Sequence, residues 1–155
     1  DGFTFEEMMD NASENGYECV EVACWPQGKA ERRYAGVSHI DVDNTSADYI
    51  KYVKDYCAAK NIEISSLAFY PNTMDEDLEK RAANIEHLKK VINMSALLGV
   101  NMVTTFIGRA QSKTVEENLE LFKEIWPTII KFAEEKGVKV AIENCPMLFA
   151  LLCHS

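Results

Sequence analysis

One phrase recurs four times along this chain and constrains its fold more than any other feature. A helical stretch ends, a Gly or Asn follows, and an apolar run begins at once. The instances are Glu14-Asn-Gly16 before Tyr17-Glu-Cys-Val-Glu-Val-Ala23, Ala59-Lys-Asn61 before Ile62-Glu-Ile-Ser-Ser-Leu-Ala68, Leu98-Gly99 before Val100-Asn-Met-Val-Thr-Thr105, and Glu135-Lys-Gly137 before Val138-Lys-Val-Ala-Ile-Glu143. Gly and Asn accept the left-handed backbone that closes a helix. The helix-to-strand joints are therefore tight, and the long loops all follow strands.

The helices carry their own signals. Thr4-Phe-Glu-Glu7 fits a capping box and predicts a helix to about Asn15. A second starts near Ser46 or Ala47, with Ile50, Val53, Cys57 and Ala58 on its apolar face. A third starts near Asp75, with a stripe of Leu78, Ala82, Ile85, Leu88, Val91, Ile92 and Met94 up to Leu98. Thr114-Val-Glu-Glu117 opens the fourth, which reads through Leu119, Phe122, Ile125, Ile129 and Phe132. Pro127 removes one backbone donor inside it and predicts a kink after Trp126, with a full break as the alternative.

Helix and strand thus alternate, which implies an α/β fold with a parallel sheet. Right-handed crossovers place the post-strand loops, starting at Trp25, Phe69, Phe106 and Asn144, at one end. Closed and open parallel folds both set their sites there. Gly99 stands alone and no G-x-G-x-x-G or G-K-[ST] occurs, which disfavours a nucleotide-binding open sheet.

Composition narrows the partners. The net charge of −9 argues against nucleic acid, which needs a basic face. The longest apolar run, Met147 to Cys153, is too short to span a bilayer, so no membrane partner is expected, and the first residues do not resemble a signal peptide. Five cysteines, odd in number and without a C-x-x-C, read as reduced, mostly buried thiols of a cytoplasmic protein. His39, His87 and His154 are too scattered for a zinc cluster.

The candidate chemistry lies at the strand ends. Lys139-Val-Ala-Ile-Glu-Asn-Cys-Pro146 reads as a buried strand bearing one acid. Alternation turns Val138, Val140 and Ile142 toward the helices and Lys139, Ala141 and Glu143 to the other face. An acid so placed needs a cation, a substrate or hydrogen bonds, so metal binding, catalysis and a structural role all stay open for Glu143. Glu21 shares its strand parity with Cys19 and Ala23 and points inward too, where a second acid helps define a polar pocket, although a salt bridge is the commoner role. Trp25 suits stacking on a sugar ring or capping the core. Phe69-Tyr70-Pro71 and Thr105-Phe-Ile-Gly-Arg109 close the next strands. Arg109 can clamp a phosphate or carboxylate, or pair with a surface acid. His39, in the flexible acid-rich loop Gly36 to Asp43, can exchange a proton with a sugar oxygen or simply face solvent. His87 is placed on the outside of its helix and given no role.

Tyr17-Glu-Cys-Val-Glu-Val-Ala-Cys-Trp-Pro26, Lys29-Ala-Glu-Arg-Arg-Tyr-Ala-Gly36, His39-Ile-Asp-Val42, Thr105-Phe-Ile-Gly-Arg109 and Ala141-Ile-Glu-Asn-Cys-Pro-Met147 together resemble the sugar phosphate isomerase/epimerase family of xylose isomerase-like TIM barrels. The resemblance implies a partial (β/α)8 barrel over 1–147, with parallel strands two to five and their helices, incomplete at both ends, and an aberrant or truncated tail over 148–155. It implies a divalent metal (Mn, Mg, Co or Zn) at the carboxyl mouth and a sugar or sugar phosphate as substrate. The metal would polarise the carbonyl while a carboxylate moves the adjacent proton. On this resemblance Glu143 is both the metal ligand and the catalytic acid-base group, and the strand-end residues Trp25, His39, Tyr70, Phe106 and Arg109 are the candidates for substrate binding. An Asp, a His and a second Glu would lie on later strands.

Three functions follow in order of preference. The first is a sugar isomerase or epimerase, active only with the rest of the barrel. The second is an inactive fragment or sugar-binding remnant. The third is an abasic-site endonuclease, disfavoured because Phe69-Tyr70 and Phe106 stand where that class places histidines. The outermost strands of such a partial barrel would have unpaired edges, which leaves homo-oligomer formation open.

Overall fold

The computed structural model describes residues 3–28 and 38–143. Helices and strands alternate as α1 (Phe5–Glu14), β1 (Cys19–Ala23), α2 (Ala47–Lys60), β2 (Glu63–Ala68), α3 (Leu78–Leu98), β3 (Met102–Thr105), α4 (Val115–Glu135) and β4 (Lys139–Ile142). Both capping boxes form. The Thr4 hydroxyl accepts from the Glu7 amide while the Glu7 carboxylate accepts from the Thr4 amide, and Thr114 and Glu117 repeat the exchange. Ser46 caps α2. α3 starts later than expected, because Asp75 accepts the Asp77 amide in a turn and Asp77 is the cap. Asn61 and Gly99 close α2 and α3 in the left-handed region, at φ 54° and 77°.

The strands lie in the order β1-β2-β3-β4, all parallel. Val22, Leu67, Val103 and Val140 form one row across the sheet. The first three join Leu88, Val91, Ile92 and Met94 of α3 and Ile129 of α4 in the hydrophobic core, and half-buried Val140 packs against it. Burying each such aliphatic side chain contributes about 1.5–3 kcal/mol. The next row, Ala23, Ala68, Thr104 and Ala141, faces the opposite side and is uniformly small. The α/β fold with a parallel sheet is therefore as expected. No described helix is long and apolar enough to cross a membrane.

Several expectations need correction. β4 is not buried: it pairs only with β3 among the described residues, and Ile142 is 45% exposed. His87 is not on the outside of α3 but buried, because its ring packs edge-on against Phe69 and its Nε2 bonds the Cys24 carbonyl at 2.8 Å. The start of the α3 stripe is the part that faces out, with Leu78 68% exposed and Ala82 also exposed. Ala58 and Leu119 are likewise exposed on α2 and α4. α4 runs through Pro127 without a break. From Ser38 on, the loop around His39 is packed rather than flexible, since Ile40 and Val42 are core residues and Ser38 bridges Cys24. Of the described cysteines, all free, Cys24 is buried, Cys57 half-buried and Cys19 exposed. Cys145, Cys153, His154 and the boundary expected at Met147 lie outside the described residues.

Candidate functional site at the carboxyl ends of the strands

Glu143 follows the last residue of β4, and its amide donates to the Thr105 carbonyl at 2.9 Å. The ladder thus extends one residue past the strand and fixes the backbone that carries the carboxylate. Its side is the expected one, two residues beyond Ala141 on the small-residue face. Its environment is not: Glu143 is exposed, β3 being the one neighbour of β4 among the described residues.

Tyr70 and Phe106 come together, with ring centroids 4.5 Å apart, at the ends of β2 and β3. The Tyr70 hydroxyl donates to Glu21 at 2.8 Å. Burial holds this phenol above its usual range; the Thr104 hydroxyl opposes that shift, while the hydrogen bond to Glu21 and the charges of Glu21 and Glu143 add to it. Tyr70 is therefore a neutral hydroxyl bonded to one carboxylate and within the field of a second.

Glu21 does not take the salt bridge expected as its commoner role. It makes no ion pair among the described residues. Instead its Oε2 accepts from Ser66 at 2.9 Å and Thr104 at 2.6 Å, while Oε1 accepts from Tyr70. Three strands thus contribute to one carboxylate. A register shift between Val20 and Glu21 makes this possible, since it sets Ser66 rather than Ser65 opposite Glu21. Parity alone cannot show such a shift. The signal open to sequence is chemical: Ser66 and Thr104 put hydroxyl groups toward the ends of strands that carry no basic residue to pair with Glu21.

The other expected site residues stand apart from this group. Trp25 packs edge-on against Phe69, centroids 5.0 Å apart, and Phe69 in turn meets His87. That continuity with the core favours a capping role for the Trp25 ring. His39 is half-buried, its amide bonded to the Ala23 carbonyl. Its Nδ1 is shielded from solvent and finds no partner among the described residues, and burial lowers its pKa. Arg109 sends one guanidinium nitrogen to the Gln111 carbonyl, while its buried Nε has no partner among the described residues. No hydrogen bond or ion pair among the described residues joins His39 or Arg109 to Glu21, Tyr70 or Glu143.

The mouth loops are tied to each other. The Asn72 side chain accepts from the amides of Arg109 at 2.9 Å and Met74 at 3.2 Å and donates to the Arg109 carbonyl at 2.9 Å. The Thr73 hydroxyl donates to the Ile107 carbonyl at 2.6 Å. These bonds link the loops after β2 and β3 and hold the Tyr70–Phe106 pair in place.

Glu143 supplies one hard oxygen donor, suited to a divalent cation. Glu21 is a poor second ligand, because both its oxygens already accept hydroxyl protons. Among the described residues no three His, Cys, Asp or Glu side chains gather closely enough to hold a metal ion. The described residues therefore fit one ligand position and do not build a metal centre by themselves.

A family model described as xylose isomerase-like TIM barrel matches residues 9–155. No curated protein matches the chain in sequence. Solved structures do resemble it. A D-tagatose 3-epimerase-like protein shares 19% identity at a TM-score of 0.66, covering 92% of this chain and 50% of that one. D-psicose 3-epimerase from Clostridium cellulolyticum H10, solved with D-tagatose, shares 16% at 0.63, covering 89% and 46%. The IOLI protein, solved with a zinc atom, shares 17% at 0.57, covering 88% and 44%. The chain spans about half the length of these structures. Likeness at this level of identity is likeness of fold, and the four-stranded parallel sheet corresponds to part of their barrels.

Proposed function

Because the chain belongs to the xylose isomerase-like TIM-barrel family, we propose that it supplies part of the active site of a metal-dependent isomerase or epimerase acting on sugars or sugar phosphates. The observation that carries this reading is the position of Glu143. Its carboxylate stands at the carboxyl end of β4, on the small-residue face, near enough to Tyr70 for its charge to act on the phenol.

The chemistry assigned to this chain is proton transfer. An exposed carboxylate on a ladder-fixed backbone can take the proton from the carbon next to a sugar carbonyl. Returning a proton to the opposite face inverts that carbon, and delivering it to the neighbouring carbon exchanges aldose for ketose. A divalent metal bound beside Glu143, with its other ligands from elsewhere in the barrel, would polarise the carbonyl and lower the barrier to that transfer. Tyr70 and Phe106 supply an aromatic wall for the sugar's C–H face, and the Tyr70 hydroxyl adds a polar contact. His39 and Arg109 would act at the rim, where Arg109 suits a phosphate or carboxylate at the far end of the ligand, while the Trp25 ring caps the core beside them.

The full-length protein carrying Glu143→Gln tests the assignment. Divalent metal content and isomerisation rate should both fall. A variant that keeps both would contradict it.

A further inference from the structure

The small-residue face of the sheet carries one polar device that the proposed reaction does not use. Glu21 accepts three hydrogen bonds from three hydroxyl groups. A hydroxyl has one proton to donate, so Ser66, Thr104 and Tyr70 have each committed theirs to the same carboxylate. What each oxygen retains is acceptor capacity. Ser66 is buried and Thr104 lies half-buried within β3, whereas Tyr70 is half-buried and stands past the end of β2 beside Phe106. Tyr70 is thus the member of the group set furthest toward the mouth.

A free tyrosine hydroxyl can donate or accept, and solvent turns it either way. Here a charge-assisted bond of 2.8 Å holds its proton toward Glu21. We propose that Glu21 is a positioning residue that fixes the Tyr70 oxygen as a hydrogen-bond acceptor for a hydroxyl of a neutral polyol, so that the mouth selects an uncharged sugar segment at this point. The inference rests on the sugar reading given above and narrows it to the part of the ligand next to Tyr70. Two features support it independently. The Glu21 carboxylate sits directly behind the Tyr70 hydroxyl and pairs with no cation among the described residues, so an anionic group placed against Tyr70 would face its charge. Phe106 against the Tyr70 ring leaves an apolar surface beside the acceptor, the combination that a sugar's alternating C–H and O–H groups match.

The test uses full-length protein and calorimetric titration with D-fructose and D-tagatose. Tyr70→Phe and Glu21→Met should each weaken binding of the better ketohexose about fivefold, within the range of one neutral hydrogen bond. The double variant should bind no more weakly than Tyr70→Phe alone, since Glu21 acts through Tyr70. Glu21→Gln keeps an acceptor for the phenol and should stay within about twofold of wild type. A purely structural Glu21 would lower the melting temperature without this pattern. The inference is overturned by wild-type affinity in Glu21→Met, by losses that multiply in the double variant, or by no ketohexose binding to the wild-type protein. If Glu21→Met fails to fold, monodeoxy ketohexoses probe the same contact. One of them should bind wild type and Tyr70→Phe equally, and equal discrimination against Tyr70→Phe by all of them would overturn the inference. The expected affinity pattern without turnover would sink the proposed reaction and leave this inference standing. Turnover with flat affinities would do the reverse.

Discussion

Glu21 on β1 accepts a hydrogen bond from Thr104 on β3 at 2.6 Å, reaching across β2 to do so. The crossing works because the β2 residues on that face, Ser66 and Ala68, are small, and Ser66 adds a bond of its own. The polar floor of the mouth is thus set by side-chain size on one strand and by charge on another.

That geometry makes Ala68 sensitive. Ala68 is 4% exposed and pairs with Thr104 in the register of β2 and β3. Ala68→Leu should place a branched side chain in the path between Glu21 and Thr104. Overpacking of this kind costs about 1–3 kcal/mol. Urea unfolding should show a lower midpoint, and ketohexose affinity should fall with it. An unchanged midpoint would mean that the crossing is not sterically limited.

Gly108 offers a second check on the mouth. Its φ is 84°, and a Cβ there would lie 2.1 Å from the Asn72 Oδ1 that accepts the Arg109 and Met74 amides. Gly108→Ala should therefore displace Asn72 and loosen the tie between the loops after β2 and β3. The expected loss is about 2 kcal/mol or more, combining left-handed strain with broken hydrogen bonds. Gly137 also has positive φ, at 68°, but nothing lies within 4 Å of its would-be Cβ. Gly137→Ala should cost only about 1 kcal/mol. Equal losses in the two variants, compared by urea unfolding, would contradict the assigned role of Asn72.

His87 gives the stability a pH dependence. Burial lowers its pKa in the folded protein, and the Cys24 carbonyl and the Asp43 charge, itself paired with Lys90, oppose that shift only in part. His39 is lowered by burial in the same direction. A depressed histidine favours the neutral form in the folded state, so the unfolded chain binds protons first as pH falls. Stability is fully present above the ordinary histidine pKa of about 6.5 and declines below it. The acids Glu6, Asp10, Asp43, Glu76 and Glu117 are lowered from values of 4.5 or 3.8, so their effects come at more acid pH. Melting temperature should fall between pH 7.5 and 5.5, and His87→Gln should flatten that slope. A slope unchanged in His87→Gln would place its origin elsewhere.

Much of this fold is legible in the sequence, and the reasons are local. Thr4–Glu7 and Thr114–Glu117 are reciprocal bonds between near neighbours, and Asn61 and Gly99 are single-residue requirements of a left-handed joint. The direction of Glu143 follows from strand alternation alone. What was hidden depends on residues far apart in the chain. The bond between His87 and the Cys24 carbonyl depends on where α3 lies over the end of β1. Glu21 reads as an acid seeking a lysine until a register shift brings Ser66 opposite it and a small residue on β2 opens the way to Thr104. Ile142 looks like core because its sequence is apolar, yet in this sheet β4 has a single described neighbour.

The most direct test of the central claim is deuterium exchange into the sugar. Full-length protein with Mn2+ is incubated with D-tagatose in D2O, and incorporation at the carbon next to the carbonyl is followed by NMR. The account predicts exchange by the wild-type protein and at least a roughly hundredfold loss in Glu143→Gln, the scale of removing a general base. Exchange by Glu143→Gln at the wild-type rate would contradict it.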